Sequence, residues 1–202
     1  RDGSPRAAAR GSYRNYPTMG GFDQMTARLG GFWDSMLGEG RRWRITANSD
    51  SHVNWREGGS DFWPGEYSKT YVWAHRNHDD ILDGLRRGRI FVTLGDLISE
   101  LHITARGAGA SAEIGDDLVV PPSTAIDVTI RFLDPAGPNW GGRETSVSRV
   151  DLILGSVTGR VADRSSDTNP STRVAARFTA ADWRTDGAYR VISYLMPTLT
   201  TD

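Results

Sequence analysis

The side chains best suited to metal binding or catalysis are Asp50 and His52, in the polar run Asn48-Ser49-Asp50-Ser51-His52. Carboxylate and imidazole groups bind Zn, Mn or Fe, and one intervening residue on an extended chain directs both side chains to the same side. The run follows the strand-like sequence Trp43–Ala47, and active sites of α/β folds gather where strands end. Two interpretations stay open: a metal site, or a surface turn in which Asp50 caps the backbone and His52 has no role.

The tryptophans are a second group of candidate ligand contacts. Three of them flank the loop after His52, and for these core or loop packing is the favoured role over lining a pocket: Trp55, Trp63 and Trp73. Trp140 lies in a glycine-rich loop and is the strongest candidate for carbohydrate contact or domain docking.

Residues 1–98 alternate helical and extended signals. Apolar residues from Met25 to Leu37 recur at steps of three and four, which predicts a helix ended by Gly38 and Gly40. A second helix is predicted between a cap at Asn77 and Gly88. Strands are predicted at Trp43–Ala47, Thr70–Trp73 and Ile90–Thr93. Strand, helix and strand at this spacing indicate a parallel sheet with crossover helices.

Residues 99–202 follow a different pattern, in which apolar and polar residues alternate over short stretches between turn-forming sequences. Period-two alternation predicts strands with one buried face. The predicted strands centre on residues 101–105, 126–132, 150–154, 174–178 and 189–193. The sequence therefore predicts an α/β domain over 1–98 and an all-β antiparallel sandwich over 99–202, truncated at its C-terminal end.

Four blocks of the first half resemble, in order and spacing, the C-terminal part of the PHP (polymerase and histidinol phosphatase) family of phosphoesterases. These are the Asn48–His52 run, Trp63-Pro64-Gly65, Thr70-Tyr71-Val72 and the helix-to-strand stretch from Asp80 to Thr93. In the family an "SDxH" element closes a metal site and precedes a "TYV" strand and an "LRxGRxFVT" segment. The resemblance covers roughly residues 10–98, somewhat under half the chain.

The resemblance implies part of a distorted β/α barrel that carries two or three divalent metal ions, Zn, Mn or Fe. Asp50 and His52 would be the last two ligands, and metal-activated water would hydrolyse a phosphoester substrate. A cationic side chain could bind the phosphate, and the sequence does not select among Arg10, Arg14 and Lys69. The upstream stretches Gly20-Gly21-Phe22-Asp23 and Gly30-Gly31-Phe32-Trp33-Asp34 resemble a periplasmic subgroup of the family with an appended β domain, and this resemblance implies an exported bacterial protein.

This sequence departs from the family pattern in several of the metal ligands. The family's opening His-x-His pair, its middle acidic ligand and its later lone histidine have no counterpart here. The expectation is that the first part of the barrel lies N-terminal to Arg1, and that this segment alone is inactive. Two other interpretations stay open. The β unit is a non-catalytic binding or docking module on an α/β scaffold, or the protein is a family member that has lost catalysis.

The composition excludes several classes of protein. A formal net charge of −1 gives no nucleic-acid-binding signature. The absence of cysteine excludes disulfides, thiolate zinc sites and cysteine nucleophiles. The sequence contains no run of about 18 apolar residues, so it predicts no membrane-spanning helix.

Overall fold

The computed structural model describes residues 26, 28–49, 65–66, 68–163 and 165–198. Its helices and strands, in chain order, are α1 (Phe32–Gly38), β1 (Ser68–Val72), α2 (His78–Arg87), β2 (Ile90–Leu94), β3 (Glu100–Gly107), β4 (Ala110–Glu113), β5 (Ile126–Leu133), β6 (Val150–Leu154), β7 (Arg173–Phe178), β8 (Arg184–Asp186) and β9 (Tyr189–Met196). The described residues form two compact units. One comprises residues up to Trp43 with Asp151–Arg177, and the other comprises Arg44–Val150 with Phe178–Asp202. The predicted boundary between residues 98 and 99 stays a prediction.

The first unit contains α1 and the paired strands β6 and β7. Helix α1 is shorter than predicted, because Gly30 adopts a left-handed φ of 70° and its N–H donates to the Asp34 carboxylate at 2.6 Å. The predicted residues before position 26 lie outside the described part of the chain. The β6–β7 pair is joined by a two-pronged ion pair, in which the Arg177 guanidinium donates to both carboxylate oxygens of Asp151 at 2.8 and 3.1 Å.

In the second unit, β1 and β2 pair antiparallel, with Val72 opposite Ile90. Helix α2 therefore forms the connection of a hairpin, where the sequence predicted a parallel crossover. The predicted cap is confirmed: the Asn77 side chain accepts the Asp80 N–H at 2.9 Å. Gly88 ends the helix in the left-handed conformation that glycine tolerates. The chain then enters β2 at Ile90, opposite Val72, the last residue of β1.

A five-stranded antiparallel sheet of order β4-β3-β5-β9-β8 forms the rest of this unit. Alternate residues of β5 face the core, and the neighbouring strands place apolar side chains on the same face. The buried set is Ala112, Ile126, Val128, Ile130, Phe132, Ile192 and Met196. The period-two patterns of the sequence predicted β3, β5 and β9 correctly, whereas β4 and β8 were not predicted.

The predicted fold class, part of a β/α barrel followed by a sandwich, is wrong. Strands make up most of the regular structure in the described ranges, and their pairings are antiparallel. Residues 41–49 form no strand, although Trp43–Ala47 was predicted to be one. The predicted β-rich half is divided: β6 and β7 of the first unit form a two-stranded sheet of their own, and the five-stranded sheet belongs to the second unit. Alternation of apolar and polar residues predicts that a strand has one buried face, but it does not predict which strands pair in one sheet.

Candidate functional site

The predicted site residues differ in what the structure says of them. Asp50, His52, Arg10 and Arg14 lie outside the described residues. Lys69 lies in β1, opposite Thr93 of β2. The structure therefore describes the framework that leads into the Asp50–His52 run, together with one of the three candidate phosphate ligands.

The chain before Asp50 is held against β1 by side-chain hydrogen bonds. The Thr70 hydroxyl donates to the Ala47 carbonyl and accepts the Ala47 N–H, each at 2.8 Å. The Ser68 hydroxyl donates to the Asn48 carbonyl. Ser49 and Ser68 are both buried. The backbone of this segment is therefore hydrogen-bonded to side-chain hydroxyls of β1, where a strand would be hydrogen-bonded to the backbone of its neighbour.

Lys69 forms an ion pair with Asp96, which follows β2. Both side chains are largely shielded from solvent. Asp96 has a positive φ of 56°, so the chain turns sharply where it presents this carboxylate. A lysine ammonium has three donors, so the pairing with Asp96 leaves donors for a further ligand.

A second polar cluster lies on the face of the five-stranded sheet opposite its core. The Tyr189 hydroxyl donates to the Glu100 carboxylate at 2.7 Å, across the intervening strand β5. The Arg131 guanidinium lies 3.2 Å from the centre of the Tyr189 ring. His102 Nε2 is buried without a hydrogen-bond partner, 3.6 Å from the same Glu100 carboxylate.

The charges of this cluster affect the tyrosine. The hydrogen bond to Glu100 raises the pKa of Tyr189, and desolvation adds to the increase. Arg131 opposes it, since a nearby cation favours the phenolate. Sequence reasoning missed this cluster because its members lie on three strands, and only the strand register brings them together.

No group of three or more metal-ligating side chains is found among the residues that the structure describes. Comparisons with protein-family models, curated proteins and solved structures give no match. In the described ranges, no helix has the length and apolar character needed to cross a membrane.

Proposed function

We propose that this chain supplies Asp50 and His52 to a metal-dependent phosphoesterase, which hydrolyses phosphate esters with a metal-activated water. The observation that carries the proposal is that strand β1, which contains the Thr70-Tyr71-Val72 block of the PHP resemblance, holds the segment in which the block ending at His52 begins. The segment that leads into Asp50 is hydrogen-bonded to Thr70 and Ser68 of β1. A third block of the resemblance forms β2, which pairs with β1 along its full length.

The donor chemistry of Asp50 and His52 fits Zn, Mn or Fe. When bound, two or three such ions would lower the pKa of a water and neutralise charge on the phosphate. Asp50 would bind the metal through its carboxylate. His52 would bind it through one ring nitrogen, with the other N–H held by an acceptor. Two protein ligands bind a metal weakly, so further ligands must complete the site.

Lys69 is the described candidate for contact with the phosphate. Its neighbours Ser68 and Thr70 hold the segment before Asp50. Successive side chains of a strand point to opposite faces, so Lys69 would have to reach the phosphate from the other face of β1. The Asp96 carboxylate would orient the ammonium group. Arg10 and Arg14 remain candidates for the same role.

The test is hydrolysis of p-nitrophenyl phosphate and bis-p-nitrophenyl phosphate by the protein loaded with Zn, Mn or Fe. We expect His52→Ala to lower kcat/KM by more than about 100-fold, because a lost metal ligand costs at least as much as a lost supporting group. His78→Ala is the matched control, since His78 is an exposed histidine at the start of α2, and it should leave the rate unchanged.

Two results would contradict the proposal. The first is wild-type hydrolysis by the His52→Ala variant. The second is the absence of hydrolysis by the wild type with each metal and both substrates, which would favour the non-catalytic binding module.

A further inference from the structure

We propose that Trp73 is the aromatic platform of a binding site for a neutral pyranose sugar in the second unit. This site goes beyond the proposed phosphoesterase function and uses neither Asp50 nor His52. It would let the protein hold a carbohydrate ligand independently of any metal.

Trp73 is fixed at the end of the β1–β2 hairpin. Its backbone N–H donates to the Arg89 carbonyl at 2.8 Å, which extends the strand pairing by one residue. Its ring packs against the His102 imidazole with centroids 4.6 Å apart. The residue still exposes 41% of its surface. An anchored indole with an exposed area loses little conformational entropy when a ligand stacks on it.

Two clefts share Trp73 and Arg89. The helix cleft, about 310 Å³, is also lined by His75, Asp80 and Asp83. Gly84 also lines it, and its lack of a side chain lets α2 pack closely on β1, since a Cβ there would lie 2.7 Å from Val72 Cγ1. The helix cleft has the size of a small ligand site.

The strand cleft, about 230 Å³, is also lined by His102, Thr104, Glu113 and Asp116. The Arg89 guanidinium donates to the Asp116 carboxylate at 3.2 Å, and this carboxylate accepts the Glu113 N–H at 3.3 Å. Those two hydrogen bonds lower the pKa of Asp116, with the bond to the Glu113 N–H first, so the carboxylate stays ionised at neutral pH. Donor and acceptor are thereby held side by side in the cleft that Trp73 also lines.

This combination matches the chemistry of a pyranose ring. One face of the ring is a patch of C–H groups that stacks on an aromatic plane, and its hydroxyls need planar donors and acceptors at the edge. Four carboxylates line the two clefts beside one arginine, Arg89: Asp80, Asp83, Glu113 and Asp116. Arg87 pairs with Asp83 at 2.8 Å, so the excess of negative charge is smaller than this lining alone suggests. A phosphate or another anion would be repelled there, whereas a neutral sugar would not.

The experiment is isothermal titration of the full chain with methyl glucoside, galactoside, mannoside and N-acetylglucosaminide, without added metal. We expect at least one of them to bind. Trp73→Ala should weaken that binding about tenfold, from the loss of aromatic stacking. Trp73→Phe, which retains an aromatic face, should weaken it less. Trp43→Ala is the matched control, since Trp43 is 47% exposed and lines neither cleft, and it should bind as wild type does.

Several results would overturn the proposal. These are the absence of binding by each sugar, unchanged binding by Trp73→Ala, and loss of binding by Trp43→Ala but not by Trp73→Ala. Preferential binding of tetramethylammonium over the sugars would overturn it too, because it would show a cation site. Arg89→Gln gives a second variant that leaves the indole in place, and it should also weaken sugar binding. None of these results depends on phosphoester hydrolysis.

Discussion

One hydroxyl, Oγ1 of Thr70, satisfies both the N–H and the C=O of Ala47 at 2.8 Å. A single side chain of β1 therefore fixes the backbone three residues before Asp50. The neighbouring Ser68 hydroxyl adds a bond to Asn48. Side chains on one strand thus position the chain entering the candidate metal-binding run.

Replacing this hydroxyl should weaken the framework. In Thr70→Val the Ala47 N–H and C=O lose their partner, and we expect a loss of about 1 to 3 kcal/mol in the free energy of unfolding. Urea denaturation measures the loss, and hydrogen exchange should show faster exchange at the Ala47 amide. Thr70→Ser keeps the hydroxyl and should restore most of the stability. Equal stability and exchange in the valine and serine variants would refute this role for Oγ1.

Gly115 should tolerate no side chain, for a reason of packing. It has a φ of 90°, and a Cβ there would lie 2.8 Å from the Arg89 nitrogen and from the Gly88 carbonyl carbon. Gly109 has a similar φ of 81° with no atom within 4 Å of such a Cβ. Backbone strain of about 1 kcal/mol is common to both alanine variants.

We therefore expect Gly115→Ala to be less stable than Gly109→Ala by a further 1 to 3 kcal/mol or so, from overpacking. Thermal or urea unfolding of the two variants measures the difference. Equal losses would mean that the contact between the turn after β4 and the end of α2 is not tight in solution.

The Tyr189–Glu100 hydrogen bond should make stability depend on alkaline pH. The folded-state pKa of Tyr189 is raised, so its contribution is fully present below the ordinary tyrosine pKa, about 10, and is lost as pH rises through the folded value. Tyr189→Phe should therefore be less stable than wild type at neutral pH, with the difference shrinking above about pH 10.

Ultraviolet titration of tyrosinate offers a direct check of the same bond. Wild type should contain a late-titrating tyrosine that is absent in Tyr189→Phe. In Glu100→Gln that tyrosine should titrate earlier, because the carboxylate is the main cause of the increase. An unchanged titration curve in Glu100→Gln would assign the late group to another tyrosine.

Much of the local structure could be predicted from the sequence, because it depends on near neighbours in the chain. The Asn77 cap, the Gly88 terminus and the alternation along β5 are examples. Strand direction could not be predicted in the same way. A connection long enough to contain a helix joins parallel or antiparallel strands, and the packing of Gly84 against Val72 is a tertiary contact.

The candidate sites also differ in whether their residues are close together in the sequence. Asp50 and His52 were identified from two residue types at close spacing, and Lys69 from its position after them. The Glu100–Tyr189 pair and the Trp73 clefts could not be identified, because residues 73, 89, 102 and 189 meet only through pairing of distant strands and ring packing. Trp140 was favoured for carbohydrate contact because a glycine-rich loop is visible in sequence, whereas a cleft is not.

The central claim is that Asp50 and His52 bind metal. Elemental analysis of the wild-type protein, beside an Asp50→Asn, His52→Ala double variant, tests it most directly. We predict about two or three equivalents of Zn, Mn or Fe in the wild type and a clear reduction in the double variant. Equal metal content in both proteins, or no bound metal in the wild type, would contradict the account.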